Sequence, residues 1–266
     1  MECPKKIVVG LDAALPTQQV FAEAKLLGKT FGAELVLVHA IPEAPPLSPG
    51  FDILADQVRE RLEDLRQGAE REGVTVSPVF HVRYGAPADV VIAVRKEVKG
   101  NWIVIGAGGK STLDRLLLGS TAEAVLREAL VPVWIVRPGR TLHDLDTILV
   151  AVDGTTPGNE AMAGAVTLAR SFTSSLRVLT VGTPERVARI QTELAAATDL
   201  HGVKLEFVSG AGEVEEAILA ELDETPADLL VLGHSGRRGL FRLLHANTAE
   251  SLTRKSPCSL LSLHAN

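Results

Sequence analysis

Cysteine, aromatic side chains and long apolar runs are all scarce in this chain of 266 residues. The two cysteines, Cys3 and Cys258, stand near opposite ends of the sequence, so they are not the disulfide framework of a small secreted protein. No window approaches the ~20 apolar residues that a membrane-spanning helix requires. The N-terminal stretch MECPKKIVVG also has no apolar signal core. We therefore expect a cytoplasmic protein with reduced thiols and no membrane partner.

Positive charge is not in excess either. The chain has 27 Lys and Arg against 33 Asp and Glu, which gives a formal net charge of -6. A general surface for polyanions needs a basic excess, so nucleic acid is not an expected partner. Hydrophobic residues make up 46% and charged residues 23%, as in globular proteins, and the length allows two domains with a core each.

The glycine-rich stretch WIVIGAGGKST, residues 102–112, fits neither of two familiar phosphate-binding motifs. A Walker loop requires a glycine at the position of Val104. A dinucleotide fingerprint that begins at Gly106 requires a third glycine at the position of Ser111. The remaining spacing is Gly-x2-Gly-x9-Gly-Ser, at Gly106, Gly109, Gly119 and Ser120.

The second half of the chain repeats the first. KKIVVGLDAA is echoed by DTILVAVDGT, which aligns Asp12 with Asp153. NWIVIGAGGK is echoed by DLLVLGHSGR, which aligns Gly106 with Gly233. LVPVWIVRPG is echoed in the same way by KSPCSLLSLH. An internal repeat of this length predicts two similar domains.

Short apolar runs of strand length alternate with amphipathic stretches in each half. The runs are apolar on both sides, which predicts parallel strands covered by helices on both faces. The predicted fold class is α/β, with two tandem doubly wound parallel-sheet (Rossmann-like) domains related by a pseudo-twofold axis, at residues 1–139 and 144–266. The predicted strands are 6–11, 34–40, 76–82, 102–106 and 132–136, then 147–152, 176–181, 204–208, 228–232 and 259–263. The predicted helices of the first half are 16–31, 51–72, 87–99 and 119–130.

A ligand site is expected beyond the carboxyl ends of the strands, where open parallel sheets have their crevice. Asp12, Ala40 and Gly106 end three predicted strands and should meet there. Gly109 is predicted to adopt a positive φ, which turns backbone amides inward. Ser120 is predicted to cap a helix whose N-terminal amides and dipole favour phosphate.

This arrangement resembles the universal stress protein family in its tandem-domain, ATP-binding form. The resemblance rests on the apolar run that ends in Asp12, a second strand that ends in VHA, the glycine spacing, and PVWIV. It implies an ATP-binding stress-response protein that pairs through its last strands as a dimer. It also implies that Asp12 contacts the ribose or adenine side, and that Ala40 meets adenine through its backbone. The ribose and phosphates of ATP, with or without Mg2+, would be held by Gly106, Gly109, Gly119, Ser120 and Thr121.

The second half departs from this pattern. Its third glycine is replaced by Ala246, and the following serine by Asn247. An alanine Cβ narrows the approach for phosphate, so we expect ATP to bind mainly to the first domain. The weaker second site, if occupied, would consist of Asp153, Gly233, Gly236, Asn247 and Thr248.

Simpler explanations of these residues stay open. The two aspartates could cap turns, and the glycines could serve backbone geometry alone. The histidines lack the paired spacing of metal ligands, so no metal site is assigned. A dedicated ATPase or kinase would need a general base and positioned charge, and the sequence offers neither at a recognisable spacing. No catalytic residue is assigned, and hydrolysis should be slow or absent. A nucleotide-independent scaffold or interaction protein and a weak ATPase are the alternatives, and protein partners are unknown.

Overall fold

A computed structural model describes most of the chain. The described residues are 1–12, 17–41, 49–108, 119–137, 142, 144–234, 252 and 254–264. The chain divides into two compact units. The first unit consists of the described residues between Glu2 and Leu142, and the second of Met1 with the described residues from Asp144 onward. Within the described residues, no helix has the length and apolar character needed to cross a membrane.

The first unit is a parallel sheet with the strand order β3-β2-β1-β4-β5. Its elements are β1 Lys6–Gly10, α1 Thr17–Phe31, β2 Glu34–Ile41, α2 Pro49–Arg71, β3 His81–Tyr84, α3 Pro87–Val98, β4 Trp102–Gly106, α4 Ser120–Glu128 and β5 Val133–Val136. The order reverses between β1 and β4, and this is the point where open α/β sheets form their ligand crevice.

The second unit has the same parallel order, β8-β7-β6-β9-β10. Its elements are β6 Thr147–Val152, α5 Thr156–Phe172, β7 Ser175–Val181, α6 Pro184–Ala197, β8 Lys204–Gly210, α7 Val214–Glu224, β9 Leu229–His234 and β10 Ser259–His264. The prediction of two doubly wound parallel α/β domains is therefore confirmed, with the reversal here between β6 and β9.

Burial explains why the central strands read as continuous apolar runs. Every residue from Trp102 to Ile105 in β4 is buried, as is the whole of β5. Helices cover both faces of the first sheet, because Gly10 of β1 lies against Val91 of α3 while Gly106 of β4 lies against Val20 of α1. Strands covered in this way have no polar face. For this reason the apolar runs in the sequence predicted where the central strands lie.

Two helix ends show how local sequence sets the boundaries. Gly32 directly follows α1 with a φ of +65°, which confirms the predicted helix stop. Thr155 caps α5 by accepting a hydrogen bond from the Gly158 amide at 3.5 Å.

Two sequence-based predictions are wrong in detail. The strand predicted at 76–82 pairs with β2 only at His81–Tyr84, and Val76 makes one isolated bridge to Leu35. Pro78 has no amide hydrogen to donate, which interrupts the ladder between these two places. Ser120 is not the N-cap of α4: it is the first helical residue, and Gly119 is the cap, with no side-chain cap hydrogen bond.

Candidate functional site

Three predicted site residues of the first unit lie at one edge of the sheet. Asp12 follows β1, Ala40 is the penultimate residue of β2, and Gly106 ends β4. Since β1 pairs with both β2 and β4 in parallel, the carboxyl ends of these strands share one edge. Asp12 is exposed, and Ala40 and Gly106 are partly exposed. The fold therefore brings the three positions together at the switch in strand order, as expected.

The backbone before Asp12 is fixed by β2. The Leu11 amide donates to the Val38 carbonyl at 2.9 Å, and the Leu11 carbonyl lies 2.9 Å from Nδ1 of His39. His39 is buried, with 7% of its surface exposed. Sequence reasoning read the VHA segment only as the end of a strand and missed this contact.

Gly106 and Gly119 each lie so close to other parts of the protein that a side chain there would be in tight contact. A Cβ on Gly106 would lie 3.3 Å from Cγ2 of Val20 in α1. A Cβ on Gly119 would lie 3.1 Å from Cα of Gly108 and 3.3 Å from the Ala107 carbonyl. The close packing of backbone on backbone thus favours glycine at 119. This packing explains the glycine in addition to the room that a phosphate would need.

Gly108 is a residue that sequence reasoning missed. Its φ is +87°, and a Cβ on it would lie only 2.8 Å from Cα of Gly119. The Gly119 amide also donates to the Ala107 carbonyl at 2.7 Å. These contacts hold the end of β4 against the start of α4. We call this contact of Ala107, Gly108 and Gly119 the glycine clasp.

The glycine clasp presents the N-terminus of α4 at the end of β4. The first intrahelical bond of α4 runs from the Glu123 amide to the Gly119 carbonyl at 3.1 Å. The amides of Ser120, Thr121 and Ala122 therefore have no acceptor within the helix. Such amides, together with the helix dipole, are suited to an anionic group. Ser120 is exposed and Thr121 partly exposed, so both are accessible from solvent.

The second unit places Asp153 at the position of Asp12 but engages it differently. Oδ1 of Asp153 accepts hydrogen bonds from the Thr155 amide at 3.1 Å and from the Thr155 hydroxyl at 2.7 Å. This is the turn-closing arrangement that aspartate favours. Oδ2 of Asp153 is buried and has no hydrogen-bond partner among the residues that the structure describes.

Gly233 is the penultimate residue of β9 and aligns with Gly106, which ends β4. A Cβ on Gly233 would lie 2.5 Å from the carbonyl carbon of Pro157 and closer still to its oxygen. The first turn of α5 thus packs its backbone directly on this glycine, and no side chain can be accommodated there without moving the helix.

His234 follows Gly233 and is buried, with 3% of its surface exposed. Its ring centroid lies 5.1 Å from that of His264, its register partner on β10. Burial, and secondarily the charge of His264, lowers the pKa of His234 to about 4. At neutral pH the ring is therefore uncharged. In the described part of the chain its Nδ1 has no hydrogen-bond partner.

The other predicted site residues lie outside the described residues: Gly109, Gly236, Asn247 and Thr248. The glycine with positive φ that the described residues do contain at this loop is Gly108. Across the described ranges, no group of three or more His, Cys, Asp or Glu residues could hold a metal ion.

Comparison with known proteins shows which family the chain resembles. The sequence model of the universal stress protein family matches residues 4–137 and again residues 182–264. A universal stress protein of Methanocaldococcus jannaschii is 28% identical over 141 residues, which cover 50% of this chain and 82% of the relative. One of Thermus aquaticus is 31% identical over 137 residues, covering 50% of this chain and 98% of the relative.

A solved structure agrees over the full length. The crystal structure of a universal stress protein from Archaeoglobus fulgidus matches with a TM-score of 0.82 at 22% identity, and covers 98% of both chains. This likeness shows a shared fold. With both halves matched by the family model, the chain belongs to the universal stress protein family.

Proposed function

We propose that the first unit binds ATP or another adenine nucleotide, and that the protein acts in the stress response through this binding. The observation that carries the proposal is the glycine clasp. It holds the N-terminus of α4 at the same sheet edge as Asp12 and Ala40, so a helix end suited to an anion and an exposed aspartate lie at one edge of the sheet.

The chemistry of the two sides matches a nucleotide. The amides of Ser120, Thr121 and Ala122 suit phosphate oxygens, and the Ser120 hydroxyl adds a donor. The Asp12 carboxylate accepts hydrogen bonds, as ribose hydroxyls or an exocyclic amine would require. Ala40 offers backbone groups at the end of β2. Gly109 would complete the phosphate side, with Mg2+ as a counterion on the phosphates.

Binding without rapid hydrolysis follows from the same groups. Phosphoryl transfer requires a positioned water and concentrated positive charge at the γ-phosphate. Helix amides and one hydroxyl bind the ground state and the transition state about equally, and uniform binding of this kind does not accelerate chemistry. We therefore propose a regulatory nucleotide whose main effect is on the surface around the start of α4.

Nucleotide is proposed to occupy the first unit in preference to the second. Asp153 already uses Oδ1 to close its own turn, and α5 packs directly on Gly233. Ala246 and Asn247 stand where the first unit has Gly119 and Ser120. The aspartate is thus engaged on the nucleoside side, and the third glycine and the serine are replaced on the phosphate side. Asp153, Gly233, Gly236, Asn247 and Thr248 form the weaker site.

Titration calorimetry with ATP tests the proposal. We expect one dominant site per chain, and a loss of about tenfold in affinity when Gly119→Ala and Ser120→Asn are combined, because a methyl group enters the clasp and an amide replaces the hydroxyl. Ser171→Asn is a control for the second of these substitutions, since it replaces serine by asparagine at an exposed helix position of the second unit. Two equal sites in the unaltered protein would contradict the preference for the first unit.

The alternatives give different results. Mass spectrometry of gently purified protein should detect carried-over adenine nucleotide, and ATP should protect the amides of residues 107–120 from hydrogen exchange. If ATP neither binds nor changes exchange, a nucleotide-independent scaffold or interaction protein is the better reading. Turnover near the ~10 per second that is typical of enzymes would identify an ATPase instead. Sedimentation with and without ATP measures the proposed homodimer.

A further inference from the structure

His39 makes a side-chain contact that links two strands at the edge of the candidate site. Its Nδ1 lies 2.9 Å from the carbonyl oxygen of Leu11, and the ring is buried at 7% exposure. A carbonyl oxygen only accepts hydrogen bonds, so Nδ1 must carry the hydrogen and donate it. The contact therefore fixes the tautomer: in the neutral ring, Nε2 is the acceptor.

The contact controls the backbone that carries Asp12. The Leu11 carbonyl belongs to the peptide bond that joins Leu11 to Asp12, and the Leu11 amide is already held by the Val38 carbonyl at 2.9 Å. Both peptide groups of Leu11 are thus fixed by β2. A planar peptide held on its carbonyl transmits that orientation to the next Cα.

His39 also directly precedes Ala40. One residue therefore joins the two positions assigned to the nucleoside end of the ligand, Asp12 through a hydrogen bond and Ala40 through the chain. We propose that His39 is a positioning residue that sets the spacing between Asp12 and Ala40 for the nucleoside. This inference rests on the proposed function and concerns the same site.

The second unit shows what the contact adds. Val152 and Thr180 are register partners on β6 and β7, and Asp153 follows Val152 as Asp12 follows Leu11. Thr180 thus takes the place of His39. It is fully buried, and its hydroxyl has no hydrogen-bond partner within the described ranges. The second unit, whose glycine motif has lost its third glycine, therefore also lacks the hydrogen bond between the first two strands that His39 makes in the first unit. We call this hydrogen bond of His39 to the Leu11 carbonyl the anchor.

The test replaces His39 with threonine, the residue that the second unit has at this place, and with asparagine, which mimics the Nδ1–H donor. His39→Thr removes the imidazole Nδ1–H that reaches the Leu11 carbonyl, and it should weaken ATP binding by about tenfold, the equivalent of one buried hydrogen bond. His39→Asn should restore most of the affinity, because its side-chain amide nitrogen can donate from nearly the position of Nδ1. Thr180→Val is the matched control and should leave ATP affinity unchanged. Proton–nitrogen correlation spectra should show the Nδ1–H tautomer for His39 without nucleotide.

The outcomes separate this inference from the proposed function. If the unaltered protein binds ATP and His39→Thr binds it equally well, the positioning role is wrong and nucleotide binding stands. If His39→Asn is as weak as His39→Thr, with thermal midpoints lowered alike, His39 serves folding and not the site. An Nε2–H tautomer would overturn the anchor. If the unaltered protein does not bind ATP, the proposed function fails and this inference fails with it.

Discussion

The two units of this protein share one strand order but differ in the surroundings of the aspartate that follows their first strand. In the first unit, His39 contacts the backbone carbonyl before Asp12, and Asp12 is an exposed residue. In the second unit, Asp153 is half-buried, and Thr155 donates two hydrogen bonds to its Oδ1. The hydrogen bonds of Asp153 show that an aspartate after a strand can close its own turn, and the alignment of Asp153 with Asp12 in sequence does not reveal this.

The aligned glycines near the ends of β4 and β9, Gly106 and Gly233, also differ. Gly106 faces a methyl group of Val20, a side chain that can adjust. Gly233 faces the backbone of Pro157, which cannot adjust without moving α5. The same residue at the same position of the repeat therefore has two different physical justifications.

The largest expected effect comes from Gly233→Ala. Its Cβ would overlap the Pro157 carbonyl group, so α5 must shift, and we expect a loss of more than about 3 kcal/mol in the free energy of unfolding. Gly106→Ala is the matched control. Its Cβ meets a side-chain methyl at 3.3 Å, and we expect a loss below about 1 kcal/mol. Urea unfolding followed by circular dichroism measures both, and equal losses would show that the two glycines are equivalent after all.

A buried ion pair in the second unit is the next test. Arg177 of β7 contacts Glu221 of α7, and it also donates to the Thr225 carbonyl. The side chains of Arg177 and Glu221 are only 6% and 14% exposed. Val36 occupies the place of Arg177 in the first unit and is buried at 1% exposure.

We therefore expect Arg177→Val to cost about 3 kcal/mol of unfolding free energy, because it leaves the Glu221 charge buried without its partner. The double variant Arg177→Val with Glu221→Leu should recover most of this loss, since a well-packed apolar pair often equals a buried ion pair. If the double variant is as unstable as the single one, the ion pair stabilises the second unit more than an apolar pair in its place.

Much of the fold could be predicted from the sequence because the central strands are buried on both sides. Apolar runs such as those of β1, β4 and β6 leave no ambiguity about where a strand lies. The position of β3 was wrong because one proline interrupts an otherwise strand-like stretch. Its effect depends on which residues pair with β2, and a single sequence does not give that register.

The site could be predicted only in outline. The repeat and the strand ends placed Asp12, Ala40 and Gly106 at one edge. The clash that demands glycine at both 108 and 119 lies between residues eleven positions apart in sequence, and only tertiary structure brings their Cα atoms together. Likewise, the VHA segment does not reveal that the histidine ring turns toward Leu11.

Acid should lower the stability of the protein through His234. This residue takes the place of the buried Ala107 of the first unit. Its pKa is about 4 in the folded protein, against an ordinary value of 6.5. Well above pH 6.5 the ring is neutral in both the folded and the unfolded state and adds no pH dependence. As the pH falls from 6.5 toward 4, the unfolded chain takes up the proton and the folded chain does not, so unfolding becomes more favourable.

From this linkage we expect a loss of about 2 kcal/mol between about pH 7.5 and about pH 5 that is absent in His234→Ala. The slope of stability against pH is the quantity to compare, because removing the ring also leaves a cavity that lowers stability at every pH. Denaturant unfolding at a series of pH values measures both proteins. Parallel slopes would show that His234 is protonated as easily in the folded state as in the unfolded one.

The smallest of these effects on stability concerns the glycine clasp. Gly108→Ala places a Cβ at a φ of +87° and 2.8 Å from Cα of Gly119, so we expect a loss of about 1–2 kcal/mol in the free energy of unfolding. Gly73→Ala is the matched control, because its φ is +81° and a Cβ there would meet nothing within 4 Å. It isolates the strain of the positive φ from the clash. The two variants should therefore differ most in ATP affinity: Gly108→Ala displaces the start of α4, whereas Gly73 follows α2 and leaves that helix end in place. Calorimetry that finds the same ATP affinity in both variants would separate the clasp from the nucleotide site and confine its role to joining β4 to α4.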